Sequence, residues 1–282
     1  MTSARCADLS EAAREPISAT ATNALNWLLV EVRGTWPRDV SDLGGFEPEL
    51  RTAITNWLEQ TPSSRLLFIR RPGSTAEHRT AFVVHASDHE PLVRRLELTD
   101  ADGFDPARDG DQVSSPLVLV CGHGTRDACC ALRGSAVFGA LREIVPPDAL
   151  WLSSHQGGHR FAANVLVLPA GIQLGRITPA DARDLVSDAL QGRIALEHYR
   201  GRVAYTPREQ AAETAIREAR GLLRATDLTL VGDRGTQVTF RDVDGHELVA
   251  VPHDVAGPAV PASCGAEPEP QRHWLAEIHE NP

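Results

Sequence analysis

The chain has 282 residues, of which 42% are apolar and 23% are charged, and its formal net charge is −10. This size allows one large domain or two ordinary ones, and the negative charge argues against non-specific binding to nucleic acids. All 28 basic residues are arginine, which excludes a Walker A loop, the phosphate-binding lysine of kinases and a Schiff-base enzyme.

No apolar stretch reaches the length of about 18 residues that a membrane span requires. The N-terminal residues show no basic region followed by an apolar one, so no secretory signal is predicted. The sequence therefore predicts a cytoplasmic protein that binds neither membranes nor nucleic acids.

The first part of the chain predicts an α/β region. Apolar runs rich in β-forming residues predict its strands, and apolar residues at helical spacing predict its helix. The predicted elements are a strand at 27–32, a helix at 47–60 and strands at 65–70, 80–85 and 91–99. An acidic stretch with few apolar residues, 100–115, predicts a linker. We expect this first region to span 1–110.

After the linker the alternation of strands and helices begins again. Strands are predicted at 116–122, 149–154, 164–169 and 172–177, and helices at 135–144 and 178–192. The order is β-α-β-β-β-α, and a further helix at 207–225 completes a second domain predicted to span 116–225. The predicted fold class is therefore α/β, with two α/β halves.

The last part of the chain, 226–282, predicts a small β extension and an irregular tail. The β-like runs lie at 227–231, 236–241 and 247–252. The residues that follow are rich in Pro, Ala and Gly, which predicts irregular structure. We expect this tail to pack back on the body through Trp274.

Cysteines and histidines follow two neighbouring predicted strands. Cys121 ends the first strand, Cys129 and Cys130 lie in the loop after it, and His155 and His159 follow the next strand. Loops at the carboxyl ends of parallel neighbouring strands meet in space, so the two loops face each other if these strands pair. The two glycines between the histidines disfavour a helix there, since each costs about 1 kcal/mol relative to alanine.

Thiolates and imidazoles together suit zinc, copper or iron–sulfur cofactors. Structural zinc sites usually place cysteines two to four residues apart, whereas eight residues separate Cys121 from Cys130. This wide spacing suits a larger object such as a two-iron cluster, and two cysteines with two histidines form the Rieske ligand set. Here both cysteines precede both histidines, so the chain is not a standard Rieske domain.

The stretches "CGHGTRDACCA" and "SSHQGGHRFAANVLVLPAG", in this order and spacing, resemble the sucrase/ferredoxin-like family. The resemblance is strongest over about 116–215 and implies a thioredoxin-like ferredoxin fold with a [2Fe–2S] cluster. Carried over position by position, the ligands that it implies are Cys121, Cys130, His155 and His159, with Cys129 as the alternative to Cys130.

This resemblance leads us to expect an iron–sulfur protein that transfers single electrons to a redox partner protein, rather than an enzyme with its own substrate. One alternative is a metal-free thiol oxidoreductase on a thioredoxin-like scaffold, which the missing C-x-x-C motif disfavours. Another is a structural zinc-binding module, which the wide cysteine spacing disfavours. No feature of the sequence indicates the oligomeric state.

Four further residues are candidates to support the site, since groups behind the ligands tune a metal centre. They are His123, Arg126, Asp127 and Asn164. Arg126 and Asp127 are expected to form an ion pair with each other. Arg160 is expected to lie in solvent, to mark a docking surface for an acidic partner or to offset the charge of the cluster. Cys6 and Cys264 are expected to be ordinary small residues.

Overall fold

The computed structural model describes residues 4–73, 78–98, 104–108 and 110–279. Its helices are α1 (Cys6–Ala12), α2 (Pro48–Gln60), α3 (Ala128–Leu141), α4 (Ala182–Leu190) and α5 (Pro207–Arg220). Its strands are β1 (Asn26–Glu31), β2 (Ser64–Arg70), β3 (Arg79–His85), β4 (Leu92–Leu98), β5 (Asp111–Gln112), β6 (Leu117–Cys121), β7 (Leu150–Ser153), β8 (Val165–Leu168), β9 (Ile172–Leu174), β10 (Tyr199–Arg202), β11 (Leu228–Arg234), β12 (Gln237–Asp242), β13 (Glu247–Pro261) and β14 (Pro268–His279). The predicted α/β class is confirmed.

One ten-stranded sheet runs through both predicted halves, in the order β10-β9-β8-β6-β7-β2-β1-β3-β4-β5. Strands β1 to β4 and strands β6 to β9 repeat one arrangement. In each set a helix connects the first two strands, which are parallel. The third strand pairs antiparallel with the first, and the fourth pairs antiparallel with the third. The two sets meet where β2 pairs antiparallel with β7. The division into domains at 1–110 and 116–225 stays a prediction.

Apolar side chains fill both faces of this sheet. Alternate residues of a strand point to opposite faces, so Val30 and Val120 belong to one core cluster and Leu29 and Leu119 to the other. Each cluster draws residues from both halves of the chain. Strands buried on both faces need continuous apolar runs, which explains "WLLVE" and "LVLVC" in the sequence.

Several predicted boundaries shift in the structure. Helix α3 begins at Ala128 rather than at 135, because the Asp127 side chain caps it by accepting the backbone N–H of Cys129 at 2.8 Å. Helix α5 ends at Arg220 rather than at 225, where Gly221 adopts a φ of +66°. Helix α1 and strand β10 were not predicted. Residue 99, at the end of the strand predicted at 91–99, and residues 100–103 and 109 of the predicted linker lie outside the described residues.

The expected irregular tail is wrong. Strand β13 continues to Pro261 and pairs with β14 as a long hairpin, within a second sheet of order β11-β12-β13-β14. Proline lacks a backbone N–H and cannot donate a hydrogen bond to a neighbouring strand. The prolines of β13 lie beyond the residues that pair with β12, and those of β14 lie on an edge strand, so few hydrogen bonds between strands are lost. The expected packing through Trp274 is confirmed, since the Arg208 guanidinium lies 5.3 Å from its ring centroid.

Within the described ranges, no helix combines the length and the apolar character that a bilayer crossing requires.

Candidate metal centre

The carboxyl ends of β6 and β7 bring the cysteine and histidine loops together. The two strands pair in parallel, with Cys121 opposite Ser153, so the loop after β7 begins beside the end of β6. One donor atom each from Cys121, Cys130 and His155 lies within 4.8 Å of the other two. Both thiols are buried and His155 is half-buried, so three of the four predicted ligands form one group.

The ring of the fourth predicted ligand, His159, lies next to that of His155. The two ring centroids are 4.8 Å apart, and His159 is not within the three-residue group itself. Its Nε2 is hydrogen-bonded to the carbonyl of Ala262, and its Nδ1 is buried without a hydrogen-bond partner. The Nδ1 of His155 is also buried and unpartnered. Buried ring nitrogens are normally satisfied, so two unpartnered Nδ1 atoms in the loop that faces the thiols fit a group that accepts lone pairs, such as a metal.

The structure brings Cys130, not Cys129, to Cys121. Successive residues of an α-helix point in different directions, and Cys129 and Cys130 are neighbours in the first turn of α3. The thiol of Cys129 instead lies 3.6 Å from that of Cys6 and 3.4 Å from that of Cys264. Of the two alternatives from the sequence, only Cys130 therefore shares a group with the other predicted ligands.

A glycine sets the short distance between α3 and β6. A Cβ atom on Gly134 would lie 2.0 Å from the carbonyl oxygen of Cys121, which no side chain tolerates. The bare backbone at this position lets the helix lie directly on the strand. This contact holds the first turn of α3, with Cys130, close to the end of β6.

His123 holds the histidine loop and is not available as a ligand. Its Nδ1 accepts the backbone N–H of His155 at 3.0 Å, and its Nε2 donates to the carbonyl of Pro37 at 2.8 Å. Both ring nitrogens are used, so the neutral ring has one fixed tautomer. Burial is the main cause that lowers the pKa of His123 and keeps the ring neutral. The ring supports the loop, as a group behind the ligands does.

Arg200, in β10, is a functional residue that the sequence reasoning missed. Its side chain is fully buried, and Nη1 donates to the carbonyl of Gly157 at 3.0 Å and to Oδ1 of Asn164 at 2.9 Å. Asn164 in turn donates to the carbonyl of Gly158 at 3.0 Å. Burial lowers the pKa of Arg200 to about 9. No local pattern around residue 200 signals this role, because it depends on β10 lying beside the histidine loop.

Gly157 and Gly158 give this loop its shape, as the sequence predicts. Their φ angles are +86° and +64°, in the region that favours glycine. A Cβ on Gly158 would lie 2.5 Å from Nη2 of Arg200, so the close approach of the guanidinium also needs a glycine.

Two expectations about charged residues are wrong. Asp127 does not pair with Arg126; its oxygens accept the backbone N–H groups of Cys129 and Cys264, each at 2.8 Å. Arg160 does not extend freely into solvent. Its Nε lies 2.7 Å from Oε1 of Glu15, whose side chain is wholly buried, and this ion pair holds the loop against the N-terminal segment.

The surroundings of Cys121 favour its thiolate. Hydrogen bonds from the Cys130 thiol and then from His155 lower the pKa of the Cys121 thiol well below its usual range, against the opposing effect of burial. Arg65 brings positive charge to the same place, and its Nη2 donates to the carbonyl of His155 at 3.1 Å. The N-terminus of α3 adds a partial positive charge. The site can therefore present a thiolate to a cation, and burial lowers the pKa of the nearby His159 ring as well.

Comparison with known proteins identifies the family. The model of the sucrase/ferredoxin-like family matches residues 17–201, which is more than half of the chain. The chain belongs to the sucrase/ferredoxin-like family. No solved structure matches the chain significantly.

The curated relatives of this sucrase/ferredoxin-like chain include fungal proteins called Altered inheritance of mitochondria protein 32. The protein from Meyerozyma guilliermondii is 31% identical over 101 residues, covering 32% of this chain and 36% of the relative. The one from Eremothecium gossypii is 27% identical over 148 residues, covering 47% of each. The one from Saccharomyces cerevisiae S288c is 32% identical over 132 residues, covering 42% and 40%. The match spans less than half the length of these relatives.

These names correct the expected function. The relatives are named for the inheritance of mitochondria and not as iron–sulfur electron carriers, so the predicted single-electron carrier is wrong. The thiol oxidoreductase and the zinc-binding module gain no better support from the same names. The structure does contain groups of Cys and His that could bind a metal.

Proposed function

We propose that this member of the sucrase/ferredoxin-like family binds a metal cofactor through Cys121, Cys130, His155 and His159. The observation that carries the proposal is the group of two buried thiols and one His155 ring nitrogen within 4.8 Å of one another, in a loop where the Nδ1 atoms of both His155 and His159 are buried without a partner. Polar atoms are rarely buried without a partner, and a metal supplies one for each. The Nε2 of His159 is held by a backbone carbonyl, which is the usual arrangement behind a histidine ligand.

A [2Fe–2S] cluster is the form of cofactor that we propose. The support is the family resemblance and the wide spacing of the cysteines along the chain. With two neutral imidazoles among its ligands, such a cluster carries less negative charge than one held by four thiolates. The strand order β7-β6-β8-β9 supports the thioredoxin-like form of the fold that the resemblance implies.

The proposal also includes the location and the partners of the chain. The cytoplasmic location and the redox partner protein stay predictions from the sequence. The name of the fungal relatives refers to mitochondria for those proteins, so a mitochondrial location of this chain is the alternative to test.

The test is to purify the protein anaerobically and to measure iron, acid-labile sulfide and the visible spectrum. We expect iron and sulfide in the wild type and their loss in Cys130→Ser, since the thiolate is the donor. The neighbouring Cys129→Ser is the matched control and should keep both. Absence of iron and sulfide after chemical reconstitution, or equal loss in the two variants, would contradict the proposal.

His155→Ala tests the histidine side of the same centre. Its ring nitrogen lies within 4.8 Å of both thiols, so we expect iron retention to fall well below that of the wild type. His279→Ala, which changes an exposed histidine at the end of β14, is the control and should retain iron normally. Equal retention in both variants would remove His155 from the centre.

A further inference from the structure

A second group of thiols lies beside the candidate metal centre and contains none of its predicted ligands. The Sγ atoms of Cys6 in α1, Cys129 in α3 and Cys264 in the turn between β13 and β14 form a triangle with edges of 3.4, 3.6 and 3.6 Å. An oxygen of Asp127 lies 3.3 Å from the Cys264 sulfur, and both its oxygens lie 3.8 Å from the Cys6 sulfur. These groups come from three distant segments of the chain. The smallest separation between two of these segments is the 121 residues from Cys6 to Asp127.

The spacing of these four donor atoms matches a tetrahedral metal site. With zinc–sulfur bonds of about 2.3 Å and zinc–oxygen bonds of about 2.0 Å, tetrahedral geometry puts two sulfurs about 3.8 Å apart and a sulfur and an oxygen about 3.5 Å apart. The observed sulfur–sulfur distances are 3.4 to 3.6 Å. The observed sulfur–oxygen distances are 3.3 to 3.8 Å. An ion about 2.3 Å from each sulfur would lie about 1 Å outside the plane of the triangle.

A disulfide does not account for this arrangement. It joins two sulfurs at about 2.0 Å and would leave the third thiol and the carboxylate without a role. All four donor atoms instead converge within 4.8 Å of one another. Cys6 and Cys129 are fully buried, and the apolar surroundings include Ala7 and Ala162.

The charge of Asp127 also calls for a cation. Its side chain is only 4% exposed, and no arginine or histidine among the described residues forms an ion pair with it. A buried carboxylate needs a compensating charge, and backbone N–H groups supply only part of it. The two N–H groups of Cys129 and Cys264 fix its orientation from behind, leaving the carboxylate facing the thiols.

We propose that Cys6, Cys129, Cys264 and Asp127 bind a thiophilic divalent cation such as zinc, at a second site distinct from the candidate cofactor centre. The ion joins α1, the start of α3 and the turn of the β13–β14 hairpin. The same turn carries Ala262, whose carbonyl is hydrogen-bonded to the His159 ring. The two sites are therefore neighbours, but they share no ligand, and the second does not depend on the proposed function.

The experiment measures zinc in the full-length protein with the first centre disabled. In the Cys121→Ser/Cys130→Ser background, loaded with zinc and dialysed, we expect about one zinc per chain, as a single structural site holds. Adding Cys264→Ser, at the half-exposed position of the three, should remove it. Iron and sulfide measured on Cys264→Ser alone report on the other centre and should match the wild type, so the two proposals fail separately.

Thiol protection in the wild type gives a second measurement that needs no variant. With zinc bound, Cys6, Cys129 and Cys264 should resist alkylation in peptide mapping, and chelation should expose all three to the reagent together. The proposal would be overturned if the Cys121→Ser/Cys130→Ser background bound no zinc, or if zinc remained after Cys264→Ser was added to it. It would also be overturned if chelation left the protection of the three thiols unchanged. A disulfide between any two of the three thiols in protein purified anaerobically would overturn it too.

Discussion

Single buried side chains hold the histidine loop, and Arg200 does so through the largest number of bonds. Besides the carbonyl of Gly157 and the side chain of Asn164, its guanidinium bonds the carbonyl and hydroxyl of Thr20. The planar guanidinium group of Arg200 thus connects the loop to the N-terminal segment. Lysine has no such fork and cannot reach all of these acceptors.

Arg200→Met should therefore loosen the loop. Several buried acceptors would lose their donor, and we expect a loss of about 3 kcal/mol in the free energy of unfolding together with weaker metal retention. Arg200→Lys should not restore the stability or the metal retention of the wild type. Arg220→Met, an exposed change on α5, should stay within about 0.5 kcal/mol of the wild type in denaturant unfolding. A loss no larger than this in Arg200→Met would mean that the guanidinium does not hold the loop.

His273 makes the fold sensitive to acid. Both of its ring nitrogens are buried without a hydrogen bond, and burial lowers its pKa below the ordinary 6.5, although Glu15 and Asp254 oppose and Arg160 reinforces this shift. Below pH 6.5 the unfolded chain binds a proton at this residue that the folded chain does not, so stability falls as the pH drops. His273→Leu should show a smaller loss of melting temperature between neutral and mildly acidic pH than the wild type.

The matched control for this pH dependence is His279→Leu, which changes an exposed histidine of the same strand. Its melting temperature should follow the wild-type curve as the pH falls. A His273→Leu curve that also follows the wild type would show that other groups cause the acid sensitivity.

At the scale of elements, the distance between α3 and β6 determines whether Cys121 and Cys130 meet. A methyl group on Gly134 would overlap the Cys121 carbonyl, whereas a methyl group on Gly139 of the same helix meets no atom within 4 Å. We expect Gly134→Ala to push α3 from the strand, to cost about 2 kcal/mol and to reduce metal binding. Gly139→Ala should stabilise the protein by about 0.5 to 1 kcal/mol and leave metal binding unchanged.

Iron content and thermal unfolding of the two glycine variants decide this prediction. Equal metal binding in both would mean that the helix-to-strand distance does not control the site. The two variants should shift the melting temperature in opposite directions. Alanine at position 139 lowers the conformational entropy of the unfolded chain, whereas alanine at position 134 creates a clash in the folded one.

The elements near the site show what the sequence could and could not predict. Strands β6 and β7 were predicted because buried parallel strands need unbroken apolar runs. Their parallel pairing was only a condition of the sequence argument, and the structure supplies it. The start of α3 was missed because its first turn, "ACCALRG", reads as a loop until Asp127 is seen as its cap. The hairpin of β13 and β14 was missed because its prolines resemble linker composition, although edge positions tolerate them.

At the scale of the whole molecule, chemistry that depends on distant segments was beyond reach of local patterns. Cys6 and Cys264 looked ordinary in the sequence because each stands alone, and only the packing of α1 and the hairpin turn onto α3 brings them to Cys129. The same holds for Arg160 and its buried partner Glu15. Spacing within a loop can be read from a sequence, whereas convergence of three remote segments depends on the tertiary fold.

The continuous sheet leads to a prediction about folding. Both core clusters contain residues from the two halves, and β2 and β7 join them edge to edge. Separating the halves would expose apolar clusters and an unpaired strand edge on each fragment. We therefore expect chains 1–115 and 116–282, produced separately, to lack a cooperative unfolding transition, whereas the intact chain unfolds in one transition by circular dichroism and by tryptophan fluorescence. Mixing the fragments should restore that transition, and a cooperative transition of fragment 1–115 alone would show that the halves fold independently.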